Sequence, residues 1–236
     1  MGERLASGNE VLDSLLEGGL EQDTITTVYG PAGSGKTNVC LLFSINTIKK
    51  GKKVIYLDSE GNFSVDRFRQ LTPDYKEQLK DILFLKPNTF AEQKRNILSL
   101  KKSVDNEIGL IIVDTIAMLY RLEFGKDTNM QELNRELGKQ ISFLSEIART
   151  RKIPVLITNQ VYSDMDTDTG VKMLGGGLLK YGSKCLVELK KGTGSNRIMI
   201  IKKHRSIREG KEALFTIVET GFASMMPDNY KKIEKR

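Results

Sequence analysis

Residues 30 to 37 read Gly30-Pro31-Ala32-Gly33-Ser34-Gly35-Lys36-Thr37, a complete GxxxxGKT pattern, set between an apolar β-like run (Ile25 to Tyr29) and the start of a helical pattern. No other segment limits the fold as strongly. A strand has to end, a glycine-rich turn has to point its N–H groups inward, and a helix has to begin with its positive dipole end facing the same space. In that arrangement Lys36 can reach the β and γ phosphates of a nucleotide, and the Thr37 hydroxyl can ligate Mg²⁺. The bland reading, a glycine-rich turn that matches by chance, does not account for the strand, loop and helix standing in the required order.

The rest of the pattern extends that start. Val54 to Asp58 and Ile82 to Leu85 read as short strands, and Gly109 to Asp114 is a near-continuous apolar run, as in a strand covered on both faces. Helices are expected over Gly35 to Lys50, from Ser64, and from a Thr89/Glu92 capping box to Asn106. The longest helix starts at a Thr128/Gln131 cap and keeps Met130, Leu133, Leu137, Ile141, Leu144 and Ala148 on one stripe. Ile153 to Thr158 then resumes the sheet. This alternation predicts an α/β fold, a mostly parallel twisted sheet flanked by helices, with ligands at the C-terminal strand ends. Beyond Lys184 come strands without long helices (Cys185 to Leu189, Arg197 to Lys202, Leu214 to Glu219), separated by turns at Gly192-Thr193-Gly194 and Gly210. They predict antiparallel strands added at the C-terminal edge. Residues 1–227 read as one core and 228–236 as a charged tail that frays.

Composition narrows the function classes. Hydrophobic residues make up 39% of the 236, enough for a sizeable core, yet no run approaches the ~20 apolar residues of a membrane span. A polar start without a secretory pattern points to the cytoplasm. Cys40 and Cys185 suit buried hydrophobes better than a disulfide or metal framework. His204, the sole histidine, excludes a histidine triad or multi-histidine metal site. The formal net charge is +7, and Lys180 to Lys211 holds ten Lys and Arg against two Glu. Such a stretch is either an electrostatic footprint for phosphate, whether nucleic acid or a neighbour's nucleotide, or a set of solvated strand faces.

Several residues can complete the chemistry of a bound nucleotide. Asp114, at the end of an apolar strand, is placed to hold the Thr37-bound Mg²⁺, the alternatives being a helix cap or a turn residue. Hydrolysis further needs a positioned water, and Glu60, just past the strand ending in Asp58, is the best candidate carboxylate; alone it could equally be a surface glutamate before Gly61. Thr158-Asn159-Gln160 ends another strand and brings two amides near the same site, to sense the γ phosphate or simply to satisfy a strand end. Lys203 and Arg205 follow a strand and could serve as a finger donated across a subunit boundary.

Ordered motifs then accumulate: Ser7-Gly8, Leu12-Asp13, Leu15-Leu16 and Gly18-Gly19; the phosphate loop; Tyr56-Leu57-Asp58-Ser59-Glu60-Gly61; Leu110 to Asp114; Leu119-Tyr120-Arg121; Ile157 to Val161; and Gly175-Gly176. Together they resemble the RecA-like ATPases of the RadA-type recombinase family over nearly the whole chain. The resemblance implies ATP and Mg²⁺ as cofactors, with nucleotide held by Gly30 to Thr37 and Asn38. It gives Glu60 the water-activating role beside Lys36, and makes Gln160 the link from γ phosphate to DNA-binding loops. Arg67 takes the place of an adenine-stacking arginine, although Ser64 and Val65 depart from the usual neighbours. Arg121, Lys172, Lys180 and Tyr181 are the candidate DNA contacts, mainly to backbone, with Tyr181 the main ring for stacking in the basic stretch.

The departures from the family are informative. The core begins within the first seven residues, so the family's N-terminal helical DNA-binding domain and its filament linker are expected to be absent. Tyr162 to Leu174 offers Asp164, Asp166 and Asp168 against Lys172, which predicts weak DNA binding through that loop. Lys203-His204-Arg205 resembles the Lys-x-Arg finger of the KaiC-like branch. The leading expectation is a weakly ATP-hydrolysing recombinase paralogue that binds DNA and recombination proteins, can form homo-oligomers, and assists strand exchange. The alternatives are a KaiC-like regulatory ATPase without a DNA role and a nucleotide-gated binding module.

Overall fold

The computed structural model describes residues 3–124, 129–163 and 171–225. A two-stranded ribbon, β1 (Arg4–Leu5) with β2 (Leu20–Glu21), brackets α1 (Glu10–Leu15). The sheet proper follows with β3 (Ile25–Gly30), α2 (Lys36–Lys49), β4 (Lys53–Asp58), α3 (Val65–Leu71), α4 (Tyr75–Gln78), β5 (Ile82–Leu85), α5 (Phe90–Ser103), β6 (Ile108–Asp114) and α6 (Met118–Arg121). Then come α7 (Met130–Arg151), β7 (Val155–Ser163), β8 (Val171–Met173), α8 (Gly176–Gly182), β9 (Cys185–Lys191), β10 (Asn196–Lys203), β11 (Glu212–Val218) and β12 (Gly221–Ser224).

The strand order is β12-β11-β10-β9-β3-β7-β6-β4-β5, with β8 attached to β7. From β9 to β5 all neighbours are parallel, and β10 to β12 add on antiparallel, as the change of pattern after Lys184 predicts. Side-chain alternation divides the core. In β4, Val54 and Tyr56 face the layer of α2, where Phe43 is fully buried, while Ile55 and Leu57 face the layer of α5 and α7. Helix α2 is buried almost all round, whereas α7 buries one stripe, Leu133, Leu137, Ile141, Leu144 and Ala148. Met130, expected on that stripe, is exposed at the helix start.

Boundaries move for local reasons. Thr89 caps α5 by accepting from the Glu92 N–H, but the helix ends at Ser103, short of Asn106. The cap of α7 is Asn129, which accepts from the N–H groups of Gln131 and Glu132; Thr128 lies outside the described residues. Strand β7 begins two residues later than expected because Ile153 N–H still closes on Ala148 O and Pro154 has no N–H to donate. The strand then runs on to Ser163, and Asp164, Asp166, Asp168 and the tail 228–236 lie outside the described residues. Both cysteines are buried and free, and no helix among the described residues is long and apolar enough to cross a membrane.

Candidate nucleotide site and an aromatic groove beside it

Strand β3 is buried along its whole length, so its end is rigidly held where the glycine turn begins. The turn uses glycine where the backbone demands it: Gly33 and Gly35 have φ of +70° and +107°, which L side chains rarely adopt. Ser34 is fully buried, and its Oγ has no partner among the described residues. A buried hydroxyl with no acceptor or donor is costly, and a phosphate oxygen in the loop would satisfy it. Lys36 is also buried, and its ammonium donates to the carbonyls of Gly30 (2.9 Å) and Pro31 (3.0 Å). Burial pulls its pKa below the ordinary lysine value, opposed by the charges of Glu60 and Asp114. This lysine holds its charge by leaning on backbone oxygens that a phosphate would replace.

Thr37 Oγ1 lies 2.9 Å from Asp114 Oδ2. The Asp114 carboxylate also accepts from the Tyr56 hydroxyl (2.8 Å) and from Thr158 Oγ1. Burial pushes its pKa up, partly countered by the hydroxyl donors Thr158, Tyr56 and Thr37. Neutral donors cannot balance a buried negative charge, so a divalent cation seated between Thr37 and Asp114 fits this donor set.

Glu60 stands across the same cavity. Its oxygens accept from both the Gln160 amide, at 2.9 and 2.8 Å, and the Thr115 hydroxyl, at 2.8 Å. Asn62 donates to it as well. The cavity encloses about 350 Å³ and is lined by loop residues together with Glu60, Asp114, Thr115, Gln160 and Ile217. Thr37, Asp114, Glu60 and Gln160 therefore converge from four separate strand ends.

A family model described as Rad51 matches residues 3–225. The chain belongs to the Rad51 family. It is 40% identical over 220 residues to the DNA repair and recombination protein RadB of Methanobrevibacter smithii, covering 90% of this chain and 93% of that protein. With RadB of Methanococcoides burtonii the identity is 43% over 221 residues, covering 93% and 97%. The solved crystal structure of the RadB recombinase superposes with a TM-score of 0.80 at 36% identity, covering 94% of this chain and all of that one. The Rad51/RecA-like fold expected from the motifs is thereby established.

Other residues of this Rad51-family chain are placed less uniformly. Arg67 Nε donates to Asn38 Oδ1 (2.7 Å), and its guanidinium reaches the carbonyls of Val218 (2.7 Å) and Glu219 (3.0 Å). It thus pins the start of α2 to the end of β11 at the rim of the cavity. Asn159 does not share the site with Gln160, contrary to the expectation of two amides there. Strand alternation turns it to the other face, where Nδ2 donates to Leu174 O at 2.7 Å. Lys203 donates to the carbonyls of Lys180 (2.6 Å) and Ser183 (2.7 Å). Arg205 pairs with Glu21 (2.9 Å) and Asp23 (3.3 Å). Both sit at the sheet end opposite the chain's own phosphate loop, because β10 runs antiparallel to β9.

A second cavity, of about 500 Å³, gathers Tyr120, Phe124, Tyr162 and Tyr181 with Leu174 and the Gly175–Gly177 backbone. Tyr120 and Phe124 meet edge to face, 4.9 Å between ring centres, and Tyr181 is 85% exposed. Arg121 and Lys180 are exposed on the adjoining helices, and Lys172 lies on β8, whose backbone faces Tyr162. Sequence reading finds only Tyr181 here, since the four rings come from three distant segments. Tyr162 follows Gln160 by two residues on the same strand, so nucleotide cavity and groove share β7.

Proposed function

We infer that this chain is a nucleotide-controlled recombination protein that binds ATP with Mg²⁺, hydrolyses it slowly, and contacts DNA through the aromatic groove. It assists strand exchange in the company of other recombination proteins. The observation that carries this reading is the convergence of the phosphate loop, Asp114, Glu60 and Gln160 on one cavity. Bound Mg²⁺, held by Thr37 with Asp114, would neutralise charge on the phosphates. Glu60 orients and deprotonates the attacking water, and the Gln160 amide, which bridges its two oxygens, reports the state of that carboxylate along β7 toward Tyr162.

The rings and cations around the groove suit contact with DNA. Tyr181 and Tyr162 offer faces for bases, and Arg121 and Lys180 offer charge for the backbone, a combination that binds single strands with little sequence preference. Lys203 and Arg205, the finger-like pair that would suit the regulatory alternative, are engaged by this chain's own Lys180, Ser183, Glu21 and Asp23.

The test is ATP turnover with and without single-stranded DNA, alongside particle size, for the wild type and Lys36→Ala. Slow turnover altered by DNA, with nucleotide affinity lost in Lys36→Ala, is the expected result. A wild type that neither binds nor hydrolyses Mg-ATP would sink the reading, and vigorous strand exchange by the protein alone would remove the assisting role.

A further inference from the structure

Strand β9 runs beside β3 into the phosphate loop, and its alternation sorts its last charged residues to opposite faces. Glu188 and Lys190 share one face and pair with each other at 3.6 Å; Lys202 lies 3.9 Å from the same carboxylate. Val187 and Leu189 turn to the other face and join the core layer of α2. Lys191 follows them. The approach is close: a β-carbon on Gly30 would fall 2.3 Å from Leu189 O. The ammonium of Lys191 stands 3.2 Å from where a β-carbon of Gly33 would be, directly over the left-handed turn of the loop.

Lys191 has no hydrogen bond or ion pair among the described residues, in contrast to its neighbour Lys190 and to Lys203, Arg205 and Lys211. Its charge is nonetheless felt within the site, where it is one of the influences lowering the pKa of Lys36. From the next strand, Arg197 sends Nε and Nη2 to Gly33 O, both at 3.3 Å. The hairpin joining these strands is tight, closed by Gly192 N–H to Asn196 O at 2.9 Å. A short hairpin therefore rests on the tip of the loop by one cation that holds the backbone and carries a second cation with no partner among the described residues.

We propose that the β9–β10 hairpin is a cis-acting arm of the nucleotide site, in which Lys191 contacts the terminal phosphates of bound triphosphate and Arg197 positions the loop tip beneath it. This deepens the ATP-binding reading given above and rests on it. Lys36 approaches the phosphates from within the helix start, and Lys191 approaches from the sheet side, so the negative charge is held between two ammonium groups of the same chain. No neighbouring subunit is needed for this contact, which separates it from any role of Lys203 and Arg205.

The test is the affinity of the full chain for Mg-ATP, Mg-ADP and AMP in the wild type, Lys191→Met and Lys191→Arg. One charge-assisted contact to phosphate predicts that Lys191→Met weakens ATP about tenfold, ADP less and AMP not at all, with Lys191→Arg restoring most of the loss. Since Lys191 is exposed, an unchanged melting temperature is expected for both variants. If Lys191→Met binds all three nucleotides as the wild type does, or loses AMP as much as ATP, the arm is overturned while the ATP-binding reading stands. If the wild type binds none of the three, both fall together.

Discussion

Gln160 gives its side-chain amide to both oxygens of Glu60, at 2.9 and 2.8 Å, across a separation of one hundred residues. The pair joins the position that can activate water to a strand that reaches the aromatic groove two residues later. Any rearrangement of Glu60 on nucleotide binding must break or remake this contact. That is a local route by which nucleotide state can bias the groove.

Glu60→Gln keeps the shape of the site and removes the carboxylate proposed as the base. Turnover is expected to fall by roughly 10² to 10⁴ while Mg-ATP affinity is retained. Single-turnover hydrolysis beside a binding titration checks this, and unaltered turnover would remove Glu60 from the role.

Asp114 gives a pH prediction for the nucleotide-free protein. Its folded pKa is raised above the ordinary carboxyl value by burial, so the proton is bound more tightly in the folded state. Its contribution to stability is then fully present at low pH and is lost as pH rises through the folded pKa. Asp114→Asn should melt higher than the wild type at neutral pH, and the gap should narrow as pH falls toward the ordinary carboxyl range. Melting temperature against pH, without nucleotide or Mg²⁺, measures it. The same variant should lose Mg²⁺-dependent nucleotide binding.

Tyr181 is almost fully solvent-exposed beside Tyr162, so its removal should cost little stability. Tyr181→Ala is expected to weaken single-stranded DNA by ~1–3 kcal/mol, the range for a base–aromatic stack. Lys180→Ala should instead lower the salt slope of binding by a little under one, because it removes one backbone neutralisation. A salt series with both variants separates stacking from charge.

Phe43 is fully buried where α2 packs on the sheet. Phe43→Ala should destabilise the fold by about 3–5 kcal/mol through lost burial and the cavity left behind. Denaturant unfolding would show a lower midpoint at similar slope.

Local order was readable from residues alone: the strand, glycine turn and helix around Lys36, the helix from Ser64, the Thr89 cap, and the doubly covered run ending in Asp114. Each depends on neighbours a few positions apart, through backbone conformation, hydrogen-bond supply and the period of burial, and these leave a mark in a linear string. Convergence of Thr37, Asp114, Glu60 and Gln160 was partly readable too, because parallel strands bring their C-terminal ends to one side. Tertiary structure alone decided that Asn159 turns away from the site, that Tyr120, Phe124, Tyr162 and Tyr181 form one groove, and that Lys191 rather than Lys190 stands over Gly33. Those outcomes turn on strand register and on which face a side chain leaves. Shifting a strand by one residue exchanges its two faces, and only packing against the other layers selects between them.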